Sequence, residues 1–261
     1  MIPQAKDEKI FKELLRTLNK KENLKESPSQ LIIKIGRHFL GKPYQSGSLE
    51  TNQTERVLIN PRGFDCVTFI EYVLALALLL KSRRRSLKSF QRILRRIRYR
   101  EGRLKGYPSH LHYFSDWIYD NQKKGFLRDI TSEIGGRPFR KSIHYMTSNP
   151  ELYPPLKNPS IFQAIKSLER RIRRRALFLI PKKEVRRLEG RVGDGDLIAI
   201  TTSREGLDIA HVGLAVKVKN RIHLLHASSN EGKVILSKKT LDQYLMEHRD
   251  YSGIMVARFS F

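Results

Sequence analysis

A single cysteine, Cys66, stands in the stretch "FDC" at the mouth of the most apolar run in the chain, and two histidines, His211 and His226, lie far downstream among short β-type runs. The thiolate is the reactive form of cysteine, and a helix N-terminus stabilises negative charge through its unpaired N–H groups and its dipole. With Asp65 before it and a strongly apolar helical run after it, Cys66 is expected at such a terminus. There its own N–H faces the same spot and can hold a developing oxyanion. A cysteine nucleophile still needs a base to take its proton.

The base is sought in "HVGLAVKVKNRIHLLHASS". If Lys219–Asn220 is a two-residue hairpin loop, Val218 pairs with Arg221, and His226 faces Gly213 on the same sheet face as His211. His223 then pairs with Val216 on the opposite face. A three-residue loop reverses the parity and favours His223, and Lys-Asn lacks the glycine usual in such turns. With the two-residue geometry, His226 is diagonal to His211 and can orient its ring. Base plus orienter is the logic of a cysteine triad. A thiol so activated is expected to react quickly with iodoacetamide at neutral pH.

Around these residues the chain reads as helices first and strands later. Residues 8–20 carry Ile10, Phe11, Leu14, Leu15 and Leu18 at helical spacing, and "SQLIIKIGRHFLG" is a second helix with Gly41 as its expected C-cap. The run Val67–Leu80 has 14 residues and includes Glu71. That is short of the roughly 20 needed to span a bilayer, so a buried helix is expected. Residues 81–105 hold twelve Lys/Arg and one acid, with Leu87, Phe90, Leu94 and Ile97 as an apolar stripe and the arginines on a solvated face. A second basic helix is expected over 161–178, and "GYPSHLHYFSDWIYDNQKKG" between the two is rich in aromatics and poor in periodicity. From Gly193 onward "DLIAITT", "IAHVGLAVKV", "RIHLLHAS", "KVILS" and "GIMVARF" read as strands. The layout predicts one α+β domain over 1–261 with a mostly antiparallel sheet, an N-terminal helical arm at 1–30 and a largely helical basic insertion at 81–190.

The formal charge of +25 predicts attraction to polyanions without choosing among them. One cysteine excludes an intrachain disulfide, and residues 1–30 show no apolar core of a signal peptide. No GxxxxGK[ST], GxGxxG or HExxH pattern occurs, so phosphate-cradling and zinc-hydrolase chemistry lack support. His110, His112 and Asp116 do not complete a zinc ligand set, and no metal or other cofactor is expected.

"DCVTFIE", "AHVGLAV" and "LLHAS" resemble the signatures of the NlpC-type superfamily of papain-like cysteine peptidases, which process bacterial peptidoglycan. "FDCVTF", "HYFSDWI" and "GLDIAHVG" resemble its N-acetylmuramoyl-L-alanine amidase-like branch, from about Leu31 to the C-terminus. The resemblance implies a papain-like core with the nucleophile helix packed on the sheet. It implies Cys66 as nucleophile, His211 as general base and His226 as orienting residue. Tyr44, in "GKPYQSGSLE", matches the tyrosine beside the cysteine, where its hydroxyl could help hold the oxyanion. His112, Tyr113, Asp116 and Trp117 would line the substrate cleft. Asp116 and Asp208 could pin substrate amides or a peptide amine, although caps are the ordinary role of such acids, and Trp117 could equally anchor its segment in the core. Two departures stand out: His110 sits where an arginine would suit a carboxylate-bearing substrate, and the basic helices are heavier than expected.

The implied reaction is hydrolysis of the bond between the lactyl group of N-acetylmuramic acid and L-alanine, in peptidoglycan or muropeptides, by a periplasmic or secreted monomer. Cleavage within the stem peptide is the alternative enzyme reading. A non-enzymatic nucleic-acid or membrane-surface binder is the third, although no motif for specific nucleic-acid recognition is present. Loose attraction of the basic helices to anionic envelope polymers is expected beside any of these, and an integral membrane protein is not.

Overall fold

The computed structural model describes residues 5–18, 25–47 and 55–261. The ends of the predicted first helix and arm (1–4 and 19–24) and part of the polar connection (48–54) lie outside the described residues.

Helix α1 (Ala5–Leu18) buries Phe11, Leu14 and Leu18, and the Phe11 ring lies 5.0 Å from that of Phe90. Helix α2 (Pro28–His38) starts with a capping box between Ser27 and Gln30 and with Pro28 in the first turn, where its missing N–H costs nothing. Gly41 is not its cap. The helix closes at Phe39, and Gly41, with φ +80°, donates its N–H to the Val234 carbonyl and turns the chain toward the sheet.

Helix α3 (Cys66–Lys81) is apolar nearly all round, and burial on almost every side follows. Helices α4 (Leu87–Arg98) and α5 (Phe114–Lys123) come next. The predicted stripe of α4 is buried at Phe90, Leu94 and Ile97, but its arginines do not all face solvent. Arg98 is 1% exposed and pairs with Glu71 of α3, which is equally buried. Helix α5 escaped the periodicity reading because its buried face mixes Phe114, Trp117 and Ile118 with Ser115, Asp116, Asp120 and Asn121. Helix α6 (Pro159–Arg173) is capped by Asn158 and buries Ile165, Leu168 and Ile172.

Strands β1 (Leu127–Asp129), β2 (Arg137–Phe139), β3 (Leu177–Pro181), β4 (Leu197–Thr202), β5 (Ile209–Val218), β6 (Arg221–Ser228), β7 (Lys233–Thr240) and β8 (Tyr251–Phe259) form a sheet in the order β2-β3-β8-β4-β5-β6-β7, with β1 also pairing β8, and all of these pairings are antiparallel. The five strands read from the sequence are β4, β5, β6, β7 and β8. The segment 81–190 adds β1, β2 and β3, so it is woven into the sheet and is more than a helical insertion. These strands are short, and Pro138 sits in β2 at the sheet edge, where its missing N–H is tolerated.

Strand alternation divides two cores. Leu197 and Ala199 face the layer of α1 to α5, whereas Ile198 and Ile200 join Leu188, Leu241 and Leu245 on the other side. The latter two belong to α7 (Leu241–Met246), which follows β7 directly. A third, smaller cluster gathers Tyr113, Ile143 and Met146 under α6.

Candidate active site

Asp65 is the N-cap of α3. Its carboxylate accepts the Thr68 N–H at 2.7 Å while the Thr68 hydroxyl accepts the Asp65 N–H at 2.9 Å, a capping box that places Cys66 as the first helical residue. The half-buried thiol lies among the backbone amides of Val212, Cys66 itself and Val67, which hold its pKa down. Burial and the Asp65 charge outweigh them and push the thiol up to about 12. The resting sulfur is therefore a thiol, not the pre-formed thiolate the sequence suggests.

The Tyr44 loop is laid against the start of α3, beside Cys66, by backbone bonds. Phe64 N–H donates to the Pro43 carbonyl and Gln45 N–H to the Phe64 carbonyl, both at 3.0 Å, while Tyr44 N–H reaches Gly232 at 2.8 Å. Burial raises the Tyr44 hydroxyl, and ionised Cys66 and Asp65 would raise it further. The tyrosine thus stands within electrostatic reach of the sulfur.

The histidines meet as the two-residue loop requires. Lys219 and Asn220 both have positive φ (47° and 62°), and Val218 pairs with Arg221 and Val216 with His223. One step past Leu214↔Leu225, His226 lies opposite Gly213, where an added Cβ would come 3.0 Å from the His226 Cβ. Glycine there lets the imidazole lie across the strand. On the other side of β5, Ile200 pairs with His211 and Thr201 with Ile209, so Ala210 is bulged out immediately before the histidine. His211 Nε2 and His226 Nδ1 end 2.6 Å apart with their rings at 84°. Burial lowers both: His211 to about 3, helped by His226 and His248, and His226 to about 4. Both imidazoles are neutral near pH 7. His211 precedes Val212, whose backbone meets the sulfur, so one strand presents both the imidazole and the contact to the thiol.

Sequence reading missed the aromatic wall of this site. Tyr244 of α7 lies with its ring centroid 5.4 Å from His226 and 6.4 Å from His211. Its hydroxyl is bonded to that of Tyr251, and Tyr251 stacks on His248 at 4.4 Å. His248 Nδ1 in turn contacts the Tyr244 carbonyl at 2.9 Å. Burial raises both tyrosine hydroxyls, and a thiolate at Cys66 would raise them further. No motif flags them; the only hint was their place beyond the last hairpin, and position in sequence does not reveal a shared face.

The other expected residues lie in interior contacts. Tyr113 is 2% exposed, and its hydroxyl donates to Glu169 at 2.7 Å and accepts the Met146 N–H. Asp116 is fully buried between Arg100 and Arg175, at 2.7 and 2.5 Å, and joins the segments that follow α4 and α6. Trp117 is fully buried and stacked on Phe114. Asp208, 2% exposed, accepts the Ser115 and Ile209 N–H groups, each at 2.8 Å, and ties the start of β5 to α5. His112 Nε2 meets the Tyr107 carbonyl at 2.9 Å and its ring packs 4.7 Å from that of His110, which faces Glu55. The structure brings Cys66, Tyr44, His211 and His226 together, and sets Tyr113, Asp116, Trp117 and Asp208 into scaffold roles behind them.

Among the described residues no group of three His, Cys, Asp or Glu could hold a metal ion, and no helix is long and apolar enough to cross a membrane. A concavity of about 840 Å³ lies away from the histidines, between Phe139, Arg140 and Lys141 on one side and Arg173, Arg174 and Leu177 on the other.

Residues 34–254 match the family model described as AmiA-like, N-acetylmuramoyl-L-alanine amidase-like. Comparison with curated proteins finds no match. Among solved structures, the chain is similar to an N-acetylmuramoyl-L-alanine amidase from Bacteroides uniformis, with 37% identity and a TM-score of 0.84 over 90% of this chain and 99% of that one. It is also similar to a protein from Bacteroides fragilis described as a putative xylanase, with 40% identity and a TM-score of 0.80 over 85% and 98% of the two chains. A Legionella pneumophila protein at 24% identity shares the fold, with a TM-score of 0.75 over 99% and 96%. Because the family model spans most of the chain, including the cysteine, both histidines and the loop of Tyr44, the protein belongs to the AmiA-like, N-acetylmuramoyl-L-alanine amidase-like family.

Proposed function

We propose that the protein is a cysteine-dependent amidase that cleaves the bond between the lactyl group of N-acetylmuramic acid and L-alanine in peptidoglycan or muropeptides. The observation that carries this reading is the 2.6 Å His211–His226 contact on the strand whose next residue touches the Cys66 sulfur. Family membership supplies the substrate class.

The chemistry starts from a neutral pair. His211, held unprotonated by burial, takes the thiol proton as Sγ attacks the lactyl carbonyl. The oxyanion forms near the Cys66 N–H and the Tyr44 hydroxyl, and His226 orients the imidazolium. Collapse gives a lactyl thioester on Cys66, while His211 protonates the departing alanine nitrogen. Water, deprotonated by the same imidazole, then hydrolyses the thioester and regenerates the thiol. Ionising the sulfur is costly in the resting site, since burial and Asp65 oppose it.

Incubation with defined muropeptides and mass analysis of the products tests the proposal. Free disaccharide plus intact stem peptide supports it, and loss of activity in Cys66→Ala and His211→Ala assigns the roles. Shortened stems with muramic acid still attached would move the same machinery to the endopeptidase reading. Action on intact peptidoglycan would place the protein outside the cytoplasm. Arg140, Arg173 and Arg174 around the 840 Å³ concavity have no ion-pair partner among the described residues and, in a chain of net charge +25, suit attraction to anionic envelope polymers.

A further inference from the structure

Two neutral imidazoles that share one short hydrogen bond can place its proton in only two ways. Either His226 Nδ1–H donates to His211 Nε2, or His211 Nε2–H donates to His226 Nδ1. The choice decides whether the site can work. In the first arrangement the single proton of His211 must sit on Nδ1, and neither ring nitrogen of His211 has a free lone pair for the thiol. In the second, His211 Nδ1 is bare and can act as the base.

The other nitrogen of His226 carries the information. His226 Nε2 is buried and has no hydrogen-bond partner among the described residues. Besides His211, the aromatic ring against His226 is Tyr244, at 5.4 Å between centroids and 68° between planes, an edge-to-face arrangement. An N–H directed at the negative face of an aromatic ring is attracted to it, whereas a lone pair directed there is repelled and left unsatisfied. We propose that Tyr244 sets the tautomer of the histidine pair: its ring receives the Nε2–H of His226, so that His226 Nδ1 accepts from His211 Nε2–H and His211 Nδ1 is left free as the base. Tyr244 is thus a positioning residue. Its ring is itself held by the Tyr251 hydroxyl and by the contact of His248 with its carbonyl.

The inference rests on the proposed role of His211 as base, yet its test is independent of turnover. Two-bond ¹H–¹⁵N correlation spectra of the full chain with ¹⁵N-labelled histidine identify which ring nitrogen carries the proton, and the Cys66→Ala variant allows the measurement without activity. The expected result is protonated Nε2 on both His211 and His226. A proton on His226 Nδ1 overturns the proposal even if the enzyme is active. Tyr244→Leu should mix the tautomers and lower kcat about tenfold, equivalent to about 1.4 kcal/mol, with KM little changed. Tyr244→Phe, which keeps the ring face, should restore both readouts relative to leucine. If leucine and phenylalanine leave the same tautomer, the ring does not set it. An inactive wild-type chain with the expected tautomers would reject the amidase reading and leave this one standing.

Discussion

The Glu71–Arg98 pair offers the sharpest test of how α3, the helix that carries Cys66, is anchored. Both side chains are 1% exposed, and Arg98 donates Nε to Glu71 Oε2 at 2.8 Å and Nη1 to the Leu58 carbonyl at 3.0 Å. Burial on its own would lower the guanidinium; the carboxylate beside it reverses this and leaves it raised. In Glu71→Gln the arginine keeps its charge and loses its counter-ion in the interior, a change that costs about 3–5 kcal/mol. At about 2–4 °C per kcal/mol for a large domain, the melting temperature should fall by roughly 6–20 °C. The double variant Glu71→Leu/Arg98→Met removes both charges and should recover most of that loss, because the desolvation of the ions disappears with them. Thermal unfolding followed by circular dichroism, in low and in 0.5 M salt, reads both effects; a buried pair is only weakly screened. A fall below about 2 °C in Glu71→Gln, under about 1 kcal/mol, would mean that water reaches the pair and that Arg98 behaves like its solvated neighbours on α4. An additive double variant would refute the coupling.

The remaining expectations follow from the same geometry. If His211 is the base, as proposed, it acts only when neutral, and because burial lowers its pKa to about 3, kcat/KM should stay high well below the ordinary histidine value of 6.5; an acid limb near 6.5 in a pH–rate profile would contradict this. The sign for stability follows: the unfolded chain binds protons at His211 and His226 below 6.5 and the folded one does not, so stability should decline as pH drops from 6.5 toward 3, as urea unfolding can check. Iodoacetamide should label resting Cys66 slowly at neutral pH, and Asp65→Asn, which keeps a capping side chain and removes the charge that raises the thiol, should speed labelling; unchanged rates would mean that the carboxylate is not felt by the sulfur. Tyr113→Phe should destabilise the chain by about 1–3 kcal/mol by stripping a partner from Glu169 and the Met146 N–H. It should leave KM unchanged, whereas a rise in KM would return Tyr113 to the substrate cleft.

Much of the positioning machinery is legible because it is local. Asp65 and Thr68 form a capping box from residues three apart, so the N-terminus carrying Cys66 can be read from "DCVT". The alternation in "HVGLAV" and "HLLHAS" put His211 and His226 on one face once the loop length was chosen. The loop itself was ambiguous, since Lys219 pays a steric cost at positive φ that sequence propensity argues against, and strand pairing overrides it.

Residues whose roles depend on distant partners were not legible in this way. Glu71 was visible as a lone acid in an apolar helix, but its partner lies 27 positions away on a helix whose other cations face water. Tyr113, Asp116 and Trp117 form a motif that suits a cleft, and tertiary packing turned them inward to Glu169, to Arg100 and Arg175, and to Phe114. The helix that carries the thiol and the hairpin that carries the imidazoles were readable in the residue order, because caps and alternation act over a few residues. Only the tertiary structure decided that Val212 meets the sulfur, that the thiol and both histidines rest uncharged, and that Tyr244 closes the pair from behind. Desolvation and ring contacts depend on everything packed around a group, and no short stretch of chain contains that information.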